Sequence, residues 1–310
     1  MPPSLSILGT GPASLASSLL LSSLHPTLYR LSDLPPPSVD VGVGIWSKAL
    51  ALLPPAVAAD LADRGAFVTA ASYRSTSGRL LHSTTLASTE LLFLPTSDLM
   101  EVLSAAVAAD SNVTVADAGG YDADAEGQIT VDCTGLRSPL RAALHPEATV
   151  VSEGYTVYRG TAPTGTVESF QTWGREKRER FAVVPLSGSR SSWFATVATE
   201  SGGAARGVPE SGTVKRNLLA RFRSWHSPIP SLIESTPSSS ILTSPATSLS
   251  PFAPASTTVA FVGDARAAAD PVLAQGITVA IEDAAALAKH YVSPPLPPAA
   301  FLFVVREGGS

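Results

Sequence analysis

Six residues near the N-terminus, Gly9-Thr10-Gly11-Pro12-Ala13-Ser14, constrain this chain more than any other feature. They follow a short apolar run at 5–8 and precede a longer apolar segment that ends before Pro26, so the local pattern is strand, tight turn, helix. Glycine at the first position permits the turn, and glycine at the second lets backbone N–H groups approach a ligand closely. A helix starting at this point presents its unpaired amides and the positive end of its dipole to the same spot, an arrangement suited to a diphosphate. Gly9, Gly11, Pro12, Ala13 and Ser14 are therefore candidate cofactor-binding residues. Ser14 stands where such a frame usually carries a third glycine, which predicts slightly looser packing of helix on strand. Alone, the frame also fits an ordinary Gly-Pro turn.

A second strand is predicted over 27–31, which completes the first half of a dinucleotide-binding βαβ unit. A carboxylate for a ribose is expected about 20 residues beyond the glycines. Asp33 fits, with a solvated turn aspartate before Pro35-Pro36-Pro37 as the alternative. Further helix is predicted within 43–53 and 57–61 and over 98–109, with strands over 113–116 and 129–133. β-Prone residues between Tyr73 and Leu94, with a turn at Ser77-Gly78, predict a hairpin leaving the nucleotide-binding part. Strand-like runs at 155–160, 180–185 and 193–198 predict a second sheet. The stretch 235–258, crowded with Ser, Thr and Pro, reads as a connector. The last unit is a strand over 258–262, a turn at Gly263-Asp264, a loop, and a helix over 276–291.

That last unit carries the most specific pattern, Gly263-Asp264-Ala265, then Asp270-Pro271, Gln275-Gly276-Ile277 and Glu282-Asp283-Ala284. Its spacing resembles the second FAD-binding motif of the para-hydroxybenzoate hydroxylase superfamily of FAD-dependent monooxygenases. The resemblance implies that Asp264 contacts the FAD ribose and that Gly263, Pro271, Gly276 and Ile277 lie near the flavin and its phosphates. It also implies that the helix start near Gly276 sets backbone donors beside the flavin ring's electron-rich oxygen. Asp132-Cys133-Thr134-Gly135-Leu136-Arg137-Ser138, with Arg141 following, is similar to the family's middle motif and adds Gly135 to the cofactor candidates. The chain also departs from the family. Thr134 replaces the Asp that directly precedes this glycine in the hydroxylases, a form closer to related reductases and flavin-dependent halogenases. Ala267 and Ala268 replace a His-Pro pair, and Thr96 stands where an arginine is expected. The tail 293–310 lacks a long closing amphipathic helix, so the resemblance implies a divergent member, with C-terminal truncation as one expectation.

The fold it implies is α/β, a Rossmann-like FAD-binding domain with an interleaved, mostly antiparallel β-sheet substrate domain. Residues 1–70, 96–150 and 251–292 would form the first, 71–95 and 151–250 the second, and 293–310 an irregular tail. The implied activity is NAD(P)H-dependent hydroxylation of a small, aromatic organic substrate through a flavin hydroperoxide. FAD would be the cofactor and NAD(P)H the reductant, and because the chemistry is the cofactor's, no catalytic side chain is assigned. Tyr158, Arg159, Trp173 and Trp193 are the substrate-pocket candidates, since aromatic walls can sandwich a planar substrate and Arg159 can pair with a carboxylate or phenolate. Core packing and a surface arginine are the alternatives. A flavin-dependent reductase or halogenase is the competing enzyme, and a flavin-fold binding protein without turnover is the competing non-enzyme.

Composition narrows the partners. A net charge of −5 gives none of the basic excess that a phosphate backbone requires, so nucleic acid is not expected. No stretch reaches the roughly 18 apolar residues of a membrane-spanning helix. The run at 15–24 lacks a basic flank and reads as a buried helix, which leaves a cytoplasmic location as the default expectation. The single cysteine, Cys133, cannot form an internal disulfide and reads as an inert strand residue. The five histidines show no metal-ligand spacing, so no metal is expected. Glu282 and Asp283 read as structural or solvated helix acids. The oligomeric state leaves no trace in the sequence.

Overall fold

Leu5, Ile7 and Val131 are fully buried, which is what the central strands of a parallel sheet between helices demand. The computed structural model describes residues 4–24, 28–31, 39–116, 128–163, 168–174, 178–199, 211–253 and 258–292. Five strands, β1 (Ser4–Leu8), β2 (Leu28–Leu31), β8 (Val113–Ala116), β9 (Gln128–Asp132) and β15 (Val259–Phe261), form a wholly parallel sheet in the order β15-β9-β1-β2-β8. Leu5 and Ile7 of the central strand are fully buried. Helix α1 (Pro12–Leu21) follows β1 and packs against α8 (Gly276–Val292), with Leu21, Ala284 and Leu287 in one core around β1. Its Leu15 and Ala16 join a second core with α3 (Pro55–Arg64) and α4 (Thr96–Ala109). Serines 14, 17 and 18 of α1 are also buried. Ser14 Oγ donates to the Gly11 carbonyl and Ser18 Oγ to the Ser14 carbonyl, both at 2.8 Å, so small polar residues sit inside a core without unpaired hydroxyls.

Strands β3 (Gly42–Trp46), β4 (Ala66–Phe67) and β7 (Leu91–Pro95) make a small antiparallel sheet in the order β3-β7-β4. The helix expected over 43–53 is thus corrected to a strand followed by the single turn of α2 (Ser47–Leu50). The apolar run there is ambiguous locally, and pairing with β7 decides it, aided by Gly44, which admits the Phe93 ring at close range.

The third sheet has seven strands in the order β14-β10-β13-β12-β11-β5-β6 and is antiparallel except between β11 and β5. Its strands are β5 (Ala70–Ser75), β6 (Leu80–Thr85), β10 (Val150–Ala162), β11 (Phe170–Trp173), β12 (Arg180–Leu186), β13 (Arg190–Ala198) and β14 (Leu242–Leu249). The hairpin expected between Tyr73 and Leu94 is β5–β6, turning at Gly78 with φ +85°, while 91–95 belong to the small sheet. The connector expected over 235–258 contains β14, a strand at the sheet's edge where Pro245 costs no central hydrogen bond. Two helices not anticipated in the sequence, α6 (Ser211–Phe222) and α7 (Ile229–Ser235), cover one face of this sheet through Phe222, Leu232 and Ile233. The short α5 (Pro139–Leu144) follows β9. Among the described residues no helix is long and apolar enough to cross a membrane, and no cluster of His, Cys, Asp or Glu could hold a metal ion. Asp33 and the tail 293–310 lie outside the described residues.

Candidate functional site

The carboxyl ends of β1, β9 and β15 open on one cavity of about 660 Å³, whose opposite wall is the face of the seven-stranded sheet not covered by α6 and α7. Open α/β sheets bind ligands at this end of their strands, where the connections diverge.

The first loop reaches the cavity at Gly9 through Ala13. Gly9 has φ +130°, and a Cβ there would lie 2.7 Å from the Cys133 carbonyl oxygen. Gly11 is the N-cap of α1, with no side-chain cap on the helix and nothing within 4 Å of where its Cβ would project. The first-turn amides of α1 therefore lack a side-chain acceptor and border open space, as an anion site requires. Ser14 lies behind this turn, wholly buried.

The middle loop is organised by Asp132, which is fully buried at the end of β9. Its Oδ1 accepts from Thr134 N at 2.8 Å and Thr134 Oγ1 at 2.6 Å, and its Oδ2 accepts from Ser138 Oγ. Ser138 Oγ in turn accepts from Arg141 N, capping α5. Gly135, at φ +84°, borders the cavity with nothing within 4 Å of its Cβ position. Arg141 is buried without a carboxylate on its guanidinium. Its Nη1 donates to the carbonyls of Ala265 at 3.0 Å and Gly135 at 3.3 Å, and its Nη2 to that of Leu136. Burial pulls its pKa down, partly offset by Asp132. Arg141 thus staples the middle loop to the third. Arg141→Met is expected to cost about 2–4 kcal/mol in denaturant unfolding, because these carbonyls lose a charged donor in a dry site. Unchanged stability would contradict that role.

The third loop turns at Gly263, φ +62°, whose N–H donates to Asp283 Oδ2 at 2.9 Å. Asp283 also takes a two-pronged ion pair from Arg266, Nε at 2.8 Å and Nη2 at 2.8 Å. This acid of α8 is accordingly structural. Asp264 points the other way and borders the cavity at the start of α8, with its Oδ1 3.7 Å from the Cβ position of Gly276. No described residue donates to it. It is exposed in that cavity, and partial desolvation by the surrounding walls raises its carboxyl above the usual range. Pro271, Gly276 and Ile277 line the same space. Asp270, at its edge, accepts from Val272 N at 3.1 Å and from the Tyr155 hydroxyl of β10.

The cavity therefore unites Gly9, Gly11, Pro12, Ala13, Gly135, Asp264, Pro271, Gly276 and Ile277, with Ser14 and Gly263 just behind it. Two uncovered glycines, an uncapped helix start and a carboxylate without a donor fit a ligand bearing a diphosphate and a ribose. The substrate candidates divide. Arg159 lines the cavity. Tyr158, its neighbour on β10, packs on the opposite face near α6 and α7, because successive strand residues alternate. Trp193 borders the cavity, but its indole stacks on Phe181 at 5.4 Å and donates to Thr236 Oγ1 at 2.9 Å within the other core. Trp173 is 42 % exposed, with the Arg180 guanidinium 4.0 Å above its ring, and does not line the cavity. Of the expected aromatic walls, Trp193 borders the cavity, while Tyr158 and Trp173 do not line it. Val43, Phe93 and Phe194 supply apolar lining, and sequence periodicity could have found Phe194 once the face bearing Arg159 was known.

No protein-family model matches the chain. Over 169 residues it is 36% identical to the aurachin C monooxygenase/isomerase of Stigmatella aurantiaca, a segment covering 53% of this chain and 42% of that protein. The chain thus matches less than half of that relative's length. Among solved structures, Klebsiella pneumoniae HpxO complexed with FAD and uric acid superposes with a TM-score of 0.77 at 19% identity, covering 97% of this chain and 82% of that one. P. aeruginosa PqsL in complex with 2-aminobenzoylacetate gives 0.75 at 16% identity, covering 97% and 90%. The chain thus shares its fold with solved structures complexed with FAD, and over 169 residues it is similar in sequence to a protein named a monooxygenase/isomerase.

Proposed function

We propose that the chain binds FAD in this cavity and inserts one oxygen atom of O₂ into a small, aromatic organic substrate, with NAD(P)H as reductant. The observation that carries this reading is the continuity of the cavity. The diphosphate-type loops at 9–13 and 133–136, the start of α8, and the open face of the seven-stranded sheet share one space, so a cofactor and a second molecule can meet there. When bound, the flavin supplies electron transfer and oxygen activation. The chain's part is to bind, orient and exclude water. In this reading the α1 amides take the diphosphate, Asp264 accepts from a ribose hydroxyl, and the α8 start faces the ring system. Val43, Phe93 and Phe194 keep the reacting end apolar.

The relatives favour the same reading, since HpxO and PqsL were solved with uric acid and 2-aminobenzoylacetate, both small and cyclic. Purified protein is expected to carry, or take up on addition, one FAD per chain with flavin absorption in the visible. It should then consume O₂ and NAD(P)H faster in the presence of an aromatic substrate. Failure to take up added FAD would refute the proposal. FAD uptake without any substrate-stimulated oxygen consumption would favour a flavin-fold binding protein, and halide-dependent products a halogenase.

A further inference from the structure

We infer that Arg159 is an anion anchor at the substrate end of the cavity, so that the substrate presents a carboxylate or equivalent anionic oxygen to its guanidinium. The inference rests on the reading of the cavity as a joint site for FAD and substrate.

Several arginines among the described residues are accounted for. Arg64 pairs with Asp60 and Glu101, Arg221 with Glu179, Arg266 with Asp283, and Arg141 is taken up by carbonyls. The Arg159 guanidinium has neither a hydrogen bond nor an ion pair with any described residue, although the residue is half-buried on β10. Among the described residues it is the one cation lining the cavity, and the two acids there, Asp264 and Asp270, do not neutralise it. Asp270 is held by the Tyr155 hydroxyl and Val272 N, and Asp264 lies at the nucleotide loops. The strand register sets Arg159 opposite Phe194 on one side and Leu242 on the other, so its flanks are apolar.

A guanidinium partly withdrawn from water without a partner is costly, and a planar carboxylate that matches its fork recovers part of that cost. Burial pulls the pKa of Arg159 down, with the nearby Tyr155 working weakly the other way, which is the signature of a site lacking its counter-charge. An uncharged substrate would leave the guanidinium as it is.

The test uses FAD-loaded protein and matched probes, benzoate against benzamide and 2-aminobenzoate against 2-aminobenzamide, followed through the flavin difference spectrum and by calorimetry. Each acid is expected to bind roughly tenfold or more tightly than its amide. Arg159→Met should erase that preference, leave amide and FAD binding within about twofold, and raise the melting temperature by removing an unpaired charge from the interior. Arg159→Lys should retain part of the preference. Acids that bind no better than amides, or do not bind at all, overturn the assignment. So does a preference that survives in Arg159→Met, or a lower melting temperature together with lost FAD in that variant, which would make Arg159 a structural or cofactor residue. Failure of the cavity reading is told apart beforehand, because the wild-type protein would then show no flavin absorption before any probe is added.

Discussion

Gly9→Ala is expected to destabilise the protein by about 2–4 kcal/mol, while Gly11→Ala, two residues away, leaves stability nearly unchanged and weakens FAD binding. The two glycines do different work. At Gly9 the backbone takes φ +130°, which an L side chain rarely adopts, and the added methyl would meet the Cys133 carbonyl oxygen at 2.7 Å and its carbon at 2.9 Å. Both are backbone atoms of the adjoining loop after β9, so no flexible side chain can move aside. At Gly11 the backbone is extended, φ −87°, and the methyl would enter open space at the α1 N-terminus. There it occupies the approach to the amides that the proposed diphosphate needs. Denaturant unfolding of the apoprotein and FAD titration of each variant separate the effects. A Gly9→Ala protein as stable as wild type, or a Gly11→Ala protein that binds FAD unimpaired, would contradict this account of the loop.

Asp264→Asn should weaken FAD binding by roughly tenfold to a hundredfold, since a charged acceptor for a ribose hydroxyl becomes a neutral one. The same substitution should stabilise the apoprotein at neutral pH. The folded protein holds the Asp264 carboxyl above its ordinary range by desolvation, so the folded state binds the proton more readily than the unfolded chain. The stability associated with that proton is complete below the normal aspartate range and is lost as pH rises through the elevated value. Wild type therefore bears the desolvation cost at pH 7 and the amide does not. Melting curves of the two apoproteins should diverge at neutral pH and converge in acid below the ordinary aspartate titration. A lower melting temperature for the variant at pH 7 would show that Asp264 supports the fold.

The turn residues were legible in the sequence because their constraints are local. Positive φ at Gly9, Gly135 and Gly263 can be inferred from glycine at a strand end before a helix. The parallel strands also follow from short apolar runs between such turns. The β3 segment did not, since Val43-Gly44-Ile45 suits helix or strand until β7 arrives to pair with it. Pocket residues were harder still. Aromatic size drew attention to Tyr158, Trp173 and Trp193, yet strand parity, which depends on where α6 and α7 pack, turns Tyr158 toward those helices and sets Tyr155 and Arg159 on the other face, where Arg159 lines the cavity. Tyr155 in particular has no local signature, because its partner Asp270 lies 115 residues further along the chain.

Strand β15 lies beside β9 and two places from β1, although nearly the whole chain separates it from the first glycine loop. During synthesis the early half of the proposed nucleotide site must therefore wait for its later half, with Gly11 emerging from the ribosome long before Asp264 and Gly276 exist to face it. Loading of the proposed cofactor would then be a late event, and a nascent chain that stalls before residue 258 would hold half of a grip and no means of closing it.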